Sequence, residues 1–326
     1  MTKPTQRSKW VIIDAVEIGT PERQMPQPLP AISLVAVPGR RRQTLDIARE
    51  VARRGFGGIY IPSRFGNMAQ CTALALATEH FRFGTAIAPI YASTPEDFAH
   101  SAAYLHEVSG GRFRFGIGIA HGPTYQRLGV TPGKPLSDIR TFVDKVRSYE
   151  GIGPLPPIIL AALRKKMVAL AAEIAEGVVF ANASLSHMPQ SLAVVPSPKR
   201  SDPNFLIGNM LPVCVSEDVD AAKALLRRRL VHYALLPNYR AYWKEAGYAD
   251  EMSAVEKSIA DNRPDDIPKY LTDRWLADNT LFGPPAKVRD GVEEWRAAGV
   301  NTPVLVPNSV AGNQITALEE LLAAFS

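Results

Sequence analysis

Cysteine is nearly absent. Cys71 and Cys214 are the only two in 326 residues, which excludes a disulfide scaffold. Long apolar runs are absent as well. None approaches the roughly 20 residues of a bilayer span, so no membrane partner is expected. Near the start, the short apolar run 10–13 is interrupted by Asp14 and Glu17, unlike a secretory signal. A soluble, cytoplasmic protein is expected. His80, His100, His106, His187 and His232 share no metal-ligand spacing with one another or with carboxylates, so no metal is expected.

What the chain does have is 46% hydrophobic residues, which excludes disorder. Its length fits one large α/β domain or two ordinary ones. The formal charge is +5, and it is uneven: residues 1–66 carry eleven basic and five acidic side chains, while the remainder is close to neutral. Such a basic first fifth suggests an acidic partner. Nucleic acid is a poor candidate, because the excess has no aromatic interleaving and no binding motif.

The first thirty residues, ending in the Pro-rich stretch 24–30, show neither helical nor strand periodicity. They read as an extension laid over a domain spanning 31–326. Short apolar runs then appear at 32–37, 58–61, 83–88, 113–120, 157–161, 177–181, 205–215 and 303–306, with amphipathic segments following most of them. In 44–54, Leu45, Ala48, Val51 and Ala52 share one face and Arg49, Glu50, Arg53 and Arg54 the other. Strands alternating with helices imply a parallel sheet covered by helices. Eight of them favour a closed (β/α)8 TIM barrel, with extra helical insertions in 121–155 and 216–300. An open doubly wound sheet is the competitor, but its dinucleotide fingerprint in 116–122 is faint: Gly122 comes one position late and Pro123 follows it. There is also an internal echo. Phe-Arg-Phe-Gly-Thr-Ala-Ile-Ala (81–88) returns 32 residues later as Phe-Arg-Phe-Gly-Ile-Gly-Ile-Ala (113–120).

In a TIM barrel the active site lies on the loops that follow the strands. The first such loop holds Arg40, Arg41 and Arg42, the second Ser63 and Arg64, the fourth Ala120 and His121, the fifth Arg164, Lys165 and Lys166, and the sixth Asn182. Seven cations are thereby expected on one rim. Cations are disfavoured at helix starts, and a bound anion would reverse that cost by taking the free N–H groups there.

Several segments resemble the bacterial luciferase-like superfamily: Gly-Phe-Gly-Gly-Ile-Tyr-Ile (55–61), Phe-Gly-Thr-Ala-Ile-Ala-Pro (83–89), Leu-His-Glu-Val-Ser-Gly-Gly-Arg-Phe (105–113), Pro-Pro-Ile-Ile-Leu-Ala-Ala-Leu (156–163) and Phe-Gly-Pro-Pro-Ala-Lys-Val-Arg (282–289). They occur in the family's order from about residue 31 to the end. The resemblance implies a (β/α)8 barrel that binds FMN or the deazaflavin coenzyme F420, usually as a homodimer. The run 116–123 with His121 resembles the F420-dependent branch more than the FMN monooxygenases. The basic rim suits F420, which carries a phosphate and an acidic polyglutamyl tail.

The same resemblance places cofactor-binding roles on this chain. A non-proline cis peptide would fall at Ala86–Ile87, bulging against the cofactor ring. Gly118, Ile119 and Ala120 match the backbone that passes the ring. Ala162, Leu163 and Arg164 match the loop that grips the phosphate; here Arg164-Lys165-Lys166 stands where the family commonly has Gly-Pro-Arg, which implies a grip by side chains rather than backbone. Asn182 matches a polar residue that meets the cofactor. Ser63-Arg64 stands where many F420 members have an Asp-His pair, and His121 occupies a position that is acidic in the sugar-phosphate dehydrogenase branch. The expected function is an oxidoreductase moving hydride between F420 and a small organic substrate. In it His121 gives a proton to the substrate or orients it, and permanently charged Arg64 holds cofactor or an anionic substrate. The alternatives are an FMN-dependent monooxygenase on the same fold and a non-catalytic flavin-binding paralogue. A purely structural role is open for His121 as a loop cap. Core packing is expected for Cys71, a solvated helix face for Arg227, Arg228 and Arg229, and packing of the insertions or the substrate entrance for Tyr239, Tyr242 and Trp243.

Overall fold

A computed structural model describes residues 28–64 and 66–326. Most of the extension read over 1–30 lies outside the described residues, including Lys3, Arg7, Lys9 and Arg23. The strands are β1 (Ala31–Ser33), β2 (Ile59–Pro62), β3 (Phe83–Ala86), β4 (Ala88–Pro89), β5 (Phe113–Gly118), β6 (Ile158–Ala161), β7 (Gly177–Ala181), β8 (Leu206–Val215), β9 (Leu281–Gly283) and β10 (Thr302–Asn308). Every pairing is parallel. β10 pairs with β8 on one side and β1 on the other, so eight strands close on themselves with helices outside. This is the (β/α)8 barrel the alternation implies. β4 carries β3 onward beside β5, and β9 extends the sheet at the far end of β8.

Strand alternation sorts the core into two layers. Ile59 and Ile61, Phe113, Phe115 and Ile117, Leu160, and Val178 and Phe180 pack outward under the helices. Tyr60, Ile159, Val179, Leu206, Met210 and Val304 fill the barrel interior. The helices follow their apolar spacing. In Arg41–Arg53 the buried positions are Thr44, Ala48 and Val51, one stripe at intervals of four and three. Pro95–Val108 begins with Pro at its first turn and with Thr94 accepting a hydrogen bond from the Asp97 N–H.

Two segments differ from the sequence reading. The first apolar run ends as a strand at Ser33, and residues 34–37 are loop. Residues 281–283, inside a gap read as helices and loops, form β9. Three residues are too few for a period to show. The long insertion after β8 is held by its aromatics. Trp243 and Trp275 meet edge to face at 4.8 Å, and Trp243 Nε1 donates to Asn279 Oδ1 and to the Asn182 carbonyl. That last bond ties the insertion to the exit of β7.

Candidate active site at the barrel mouth

The strands end in small residues where the barrel opens. Ala86 of β3, Ala161 of β6 and Ala181 of β7 face inward, packed on the interior cluster and half-exposed. They make a flat, apolar floor. The Ala86–Ile87 peptide is cis. Asn67, buried at the start of the helix Asn67–Ala77, donates from Nδ2 to the Ile87 carbonyl at 3.1 Å. Nothing in the spacing of Asn67 marks it, and the sequence reading missed it. Gly118 abuts the floor: a Cβ there would lie 2.9 Å from Ala161 Cβ and 3.2 Å from the Ile87 side chain. Ile119 turns away and packs on the outer core, so only its backbone borders the mouth. Ala120 adopts a left-handed conformation with φ of 71°, and its carbonyl accepts from Tyr125 OH.

His121 follows that turn. It does not cap the next helix with its side chain. Its ring sits 5.7 Å from Tyr239, which lies 4.9 Å from Tyr233, which lies 3.8 Å from His232, all as centroid separations. Burial holds the His121 pKa below the usual 6.5, and neighbouring His232 lowers it further. The imidazole is therefore neutral at pH 7. Burial lowers His232 as well, with the Arg64 charge acting in the same direction against a bond to the Arg229 carbonyl. Tyr239, expected mainly as packing, is buried and part of this aromatic row, and burial pushes its phenol well above the usual range. His232 and Tyr233 lie at the end of the helix Val219–Ala234, in an insertion whose shape no sequence period discloses.

Asn182 ends β7 with φ of 52° and is buried. Its side-chain amide faces the Tyr233 and Tyr239 phenols and, as a donor, counters part of the rise that burial gives each. Ser63 and Arg64 are exposed at the β2 exit and line a cavity of about 230 Å³ with Asn67, Pro89, Thr124 and Arg127.

The expected phosphate loop is only partly free. The Ala162 N–H is spent on the Val179 carbonyl, and Leu163 packs on the core. Arg164 is ion-paired with Glu245, its Nε donating to Oε1 at 2.9 Å. The helix Lys165–Ile174 nevertheless starts with no side-chain cap and no acidic residue in its first turn, beside Lys165 and Lys166. Its first N–H groups and two lysines remain suited to an anion. Arg40, Arg41 and Arg42 are exposed at the start of the first helix, and none acts on the groups around His121. The aromatic row thus sets His121 against Tyr239 beside Asn182 at the exit of β7, while Arg64 lines the cavity at the β2 exit and Arg164 is held by Glu245. Of the three arginines 227–229, Arg227 is not solvated: it binds the Leu271 carbonyl and Asp273.

The model of the luciferase-like monooxygenase family matches residues 20–302. The chain belongs to that family. It is an oxidoreductase. A Mycobacterium tuberculosis protein whose name proposes a coenzyme F420-dependent oxidoreductase is 28% identical, covering 84% of this chain and 92% of that protein. The structure of coenzyme F420-dependent tetrahydromethanopterin reductase from Methanopyrus kandleri superposes with a TM-score of 0.71 at 17% identity, covering 91% of this chain and 97% of the other. The oxygenating constituent of 3,6-diketocamphane monooxygenase from Pseudomonas putida, in complex with FMN, gives 0.61 at 16% identity over 92% and 97%. Among the described residues of this luciferase-like oxidoreductase, no helix is long and apolar enough to cross a membrane, and no His, Cys, Asp and Glu group could hold a metal.

Proposed function

We propose that this family member is an F420-dependent oxidoreductase that moves hydride between the deazaflavin and a small organic substrate at the barrel mouth. The observation that carries the reading is the apolar floor of Ala86, Ala161 and Ala181 at the mouth, closely bordered by Gly118. A flat aromatic ring fits against such a floor, with small residues allowing close apolar contact. Bound F420 supplies the hydride chemistry; the protein supplies position and electrostatics. Ser63, Gly118, Ala120 and the cis Ala86–Ile87 segment border the ring in this reading. The uncapped start of the helix Lys165–Ile174 holds the phosphate, with Arg164 recruited from Glu245. Neutral His121, at the exit of β5, exchanges a proton with the substrate at a ring nitrogen or orients it. The cationic rim and the F420-named relative favour F420 over FMN.

Titration of the full chain with F420 and with FMN, followed by the absorbance and fluorescence of each, tests the reading. Saturable F420 binding is expected; FMN binding with no F420 response overturns it in favour of a monooxygenase. That second reading is supported by the FMN-bound neighbour of the same fold. A cytoplasmic homodimer belongs to the proposal. Leu76 and Tyr104, 74% and 57% exposed on the neighbouring helices Asn67–Ala77 and Pro95–Val108, leave apolar surface uncovered, and sedimentation measures the oligomer.

A further inference from the structure

The helix Gly122–Leu128 follows His121 directly and buries none of its residues, so core packing does not fix it at the mouth. Hydrogen bonds at its start do. The Thr124 and Tyr125 N–H groups donate to the His121 carbonyl at 2.8 and 3.2 Å, and Tyr125 OH donates to the Ala120 carbonyl at 3.1 Å. Tyr125 therefore grips both residues from which the imidazole is presented, one of them the left-handed Ala120. Its ring is fixed in turn. Tyr91, just past β4, meets it edge to face at 5.7 Å, and Tyr91 OH donates to Asp138 Oδ2 in the helix Pro135–Arg147. The same carboxylate oxygen accepts the Gly133 N–H at 2.8 Å, so the far end of the segment 122–133 is tied to the same anchor. Burial raises both phenols above their usual range and Asp138 adds to the rise, which keeps each hydroxyl protonated and able to donate.

We propose that Tyr125 is the positioning residue for His121, and that Tyr91 and Asp138 hold it in place. The proposal rests on His121 being the proton-handling group at the mouth and adds what aims it. The groups acting on the imidazole itself are Tyr239, whose ring lies 5.7 Å away, and His232, both from the insertion. Where the imidazole stands relative to them is set by the backbone at 120–121, and Tyr125 holds the carbonyls of both residues. A non-glycine residue stays left-handed only while its surroundings impose that conformation. Without the hydroxyl bond Ala120 is released, the peptide before His121 rotates, and the imidazole leaves its desolvated place beside Tyr239.

Side-chain NMR of the full chain, with the His121 signal assigned through His121→Asn, tests this by following the titration of each histidine. Tyr125→Phe keeps the ring on Tyr91 and removes only the hydroxyl bond. In that variant the His121 midpoint should rise toward the ordinary 6.5 by at least about 0.3, a roughly twofold change in proton affinity, because the ring regains water. His106 and His187, whose midpoints are also lowered by burial, should keep theirs. Asp138→Ala should move His121 the same way by a smaller amount. Asp138→Asn still accepts from Tyr91 and Gly133 and should keep the wild-type midpoint. A His121 midpoint indifferent to Tyr125→Phe, or one moved equally by Asp138→Asn and Asp138→Ala, would overturn the arrangement. A common shift of His106, His187 and His121 would do the same, since it marks general loosening rather than lost aim. A shift confined to His121 in a chain that binds neither F420 nor FMN would overturn the redox reading instead and leave Tyr125 in its role.

Discussion

The two halves of the internal echo share Phe-Arg-Phe-Gly and end in Ile-Ala, yet they leave the barrel differently. Along 113–119, Phe113, Phe115, Ile117 and Ile119 all pack outward without a break. Along 83–90, Phe83 packs outward, Ala86 and Ile87 both turn inward, and Ala88 and Ile90 face out again. The register records the slip: Phe83 pairs with Phe113 and Gly84 with Arg114, but Ala88 pairs with Ile117, so the first copy accommodates one more residue than the second. The second copy makes room for it. A Cβ on Gly116 would lie 1.8 Å from the Thr85 carbonyl oxygen, while Thr85 Oγ1 donates to the Gly116 carbonyl at 2.6 Å. The repeated residues determine how each strand begins. The unmatched pairs, Thr85 against Ile117 and Ala86 against Gly118, determine how each one exits, and the exits build the mouth.

Gly116→Ala is the strongest way to break this comparison. Backbone occupies the space the methyl needs, so about 3 kcal/mol or more of stability should be lost in denaturant unfolding. Gly118→Ala meets only side chains, at 2.9 to 3.2 Å, and should cost about 1 kcal/mol while weakening cofactor affinity. If both substitutions cost the same, the glycine notch is not what admits the extra residue.

Thr85→Val tests the other half of the joint. Thr85 is buried, and its hydroxyl bridges the two copies. A shape-conserving change that removes the bond should cost about 1–2 kcal/mol. A negligible change would show that the two copies are held by packing alone.

Most of the barrel was legible in the sequence because each strand is a short apolar run between turn residues and most helices carry an apolar stripe. The rim was legible in part, since Ser63, Arg64, His121 and Asn182 follow directly from where strands stop. The remainder was not. Asn67 is an ordinary helix residue until folding brings the Ile87 carbonyl to it, across twenty residues. His232, Tyr233 and Tyr239 reach the mouth because the insertion after β8 folds back on its tryptophans, and that depends on contacts such as Trp243 with Asn279 that no period encodes. Arg164 follows β6, where the run of apolar residues ends, but its partner Glu245 lies 81 residues away.

Ala120→Gly sharpens the comparison at the second exit. Ala120 holds a left-handed conformation that favours glycine, so relieving it should add stability. Part of the gain is offset by the greater freedom of glycine in the unfolded chain, and the net effect should be a stabilisation of at most about 1 kcal/mol. Loss of stability instead would mean that the Ala120 methyl makes a needed contact.

The smallest effect expected separates the exits by their response to acid. The first copy runs from Ala88 into Pro89 and Ile90, none of which titrates; the second runs from Ala120 into His121. The pKa of His121 lies below 6.5 in the folded protein, chiefly through burial. Just below pH 6.5 the unfolded chain therefore binds more protons at this residue than the native one does. Stability must fall as pH drops through 6.5, and the fall ends once the folded pKa is also passed. Glu50 belongs to a different window. Its hydrogen bonds to Arg53 and Arg54 hold its pKa at about 2 against an ordinary 4.5, so its contribution is intact above 4.5 and disappears as pH falls through about 2. His121→Asn should accordingly flatten the thermal-unfolding midpoint between pH 7 and 5.5 and leave the more acidic limb unchanged. The flattening should be partial, because His106, His187 and His232 are lowered as well. An unchanged slope in that variant would show that the second exit does not carry the acid sensitivity, and would remove the argument that a desolvated, neutral imidazole stands at the mouth.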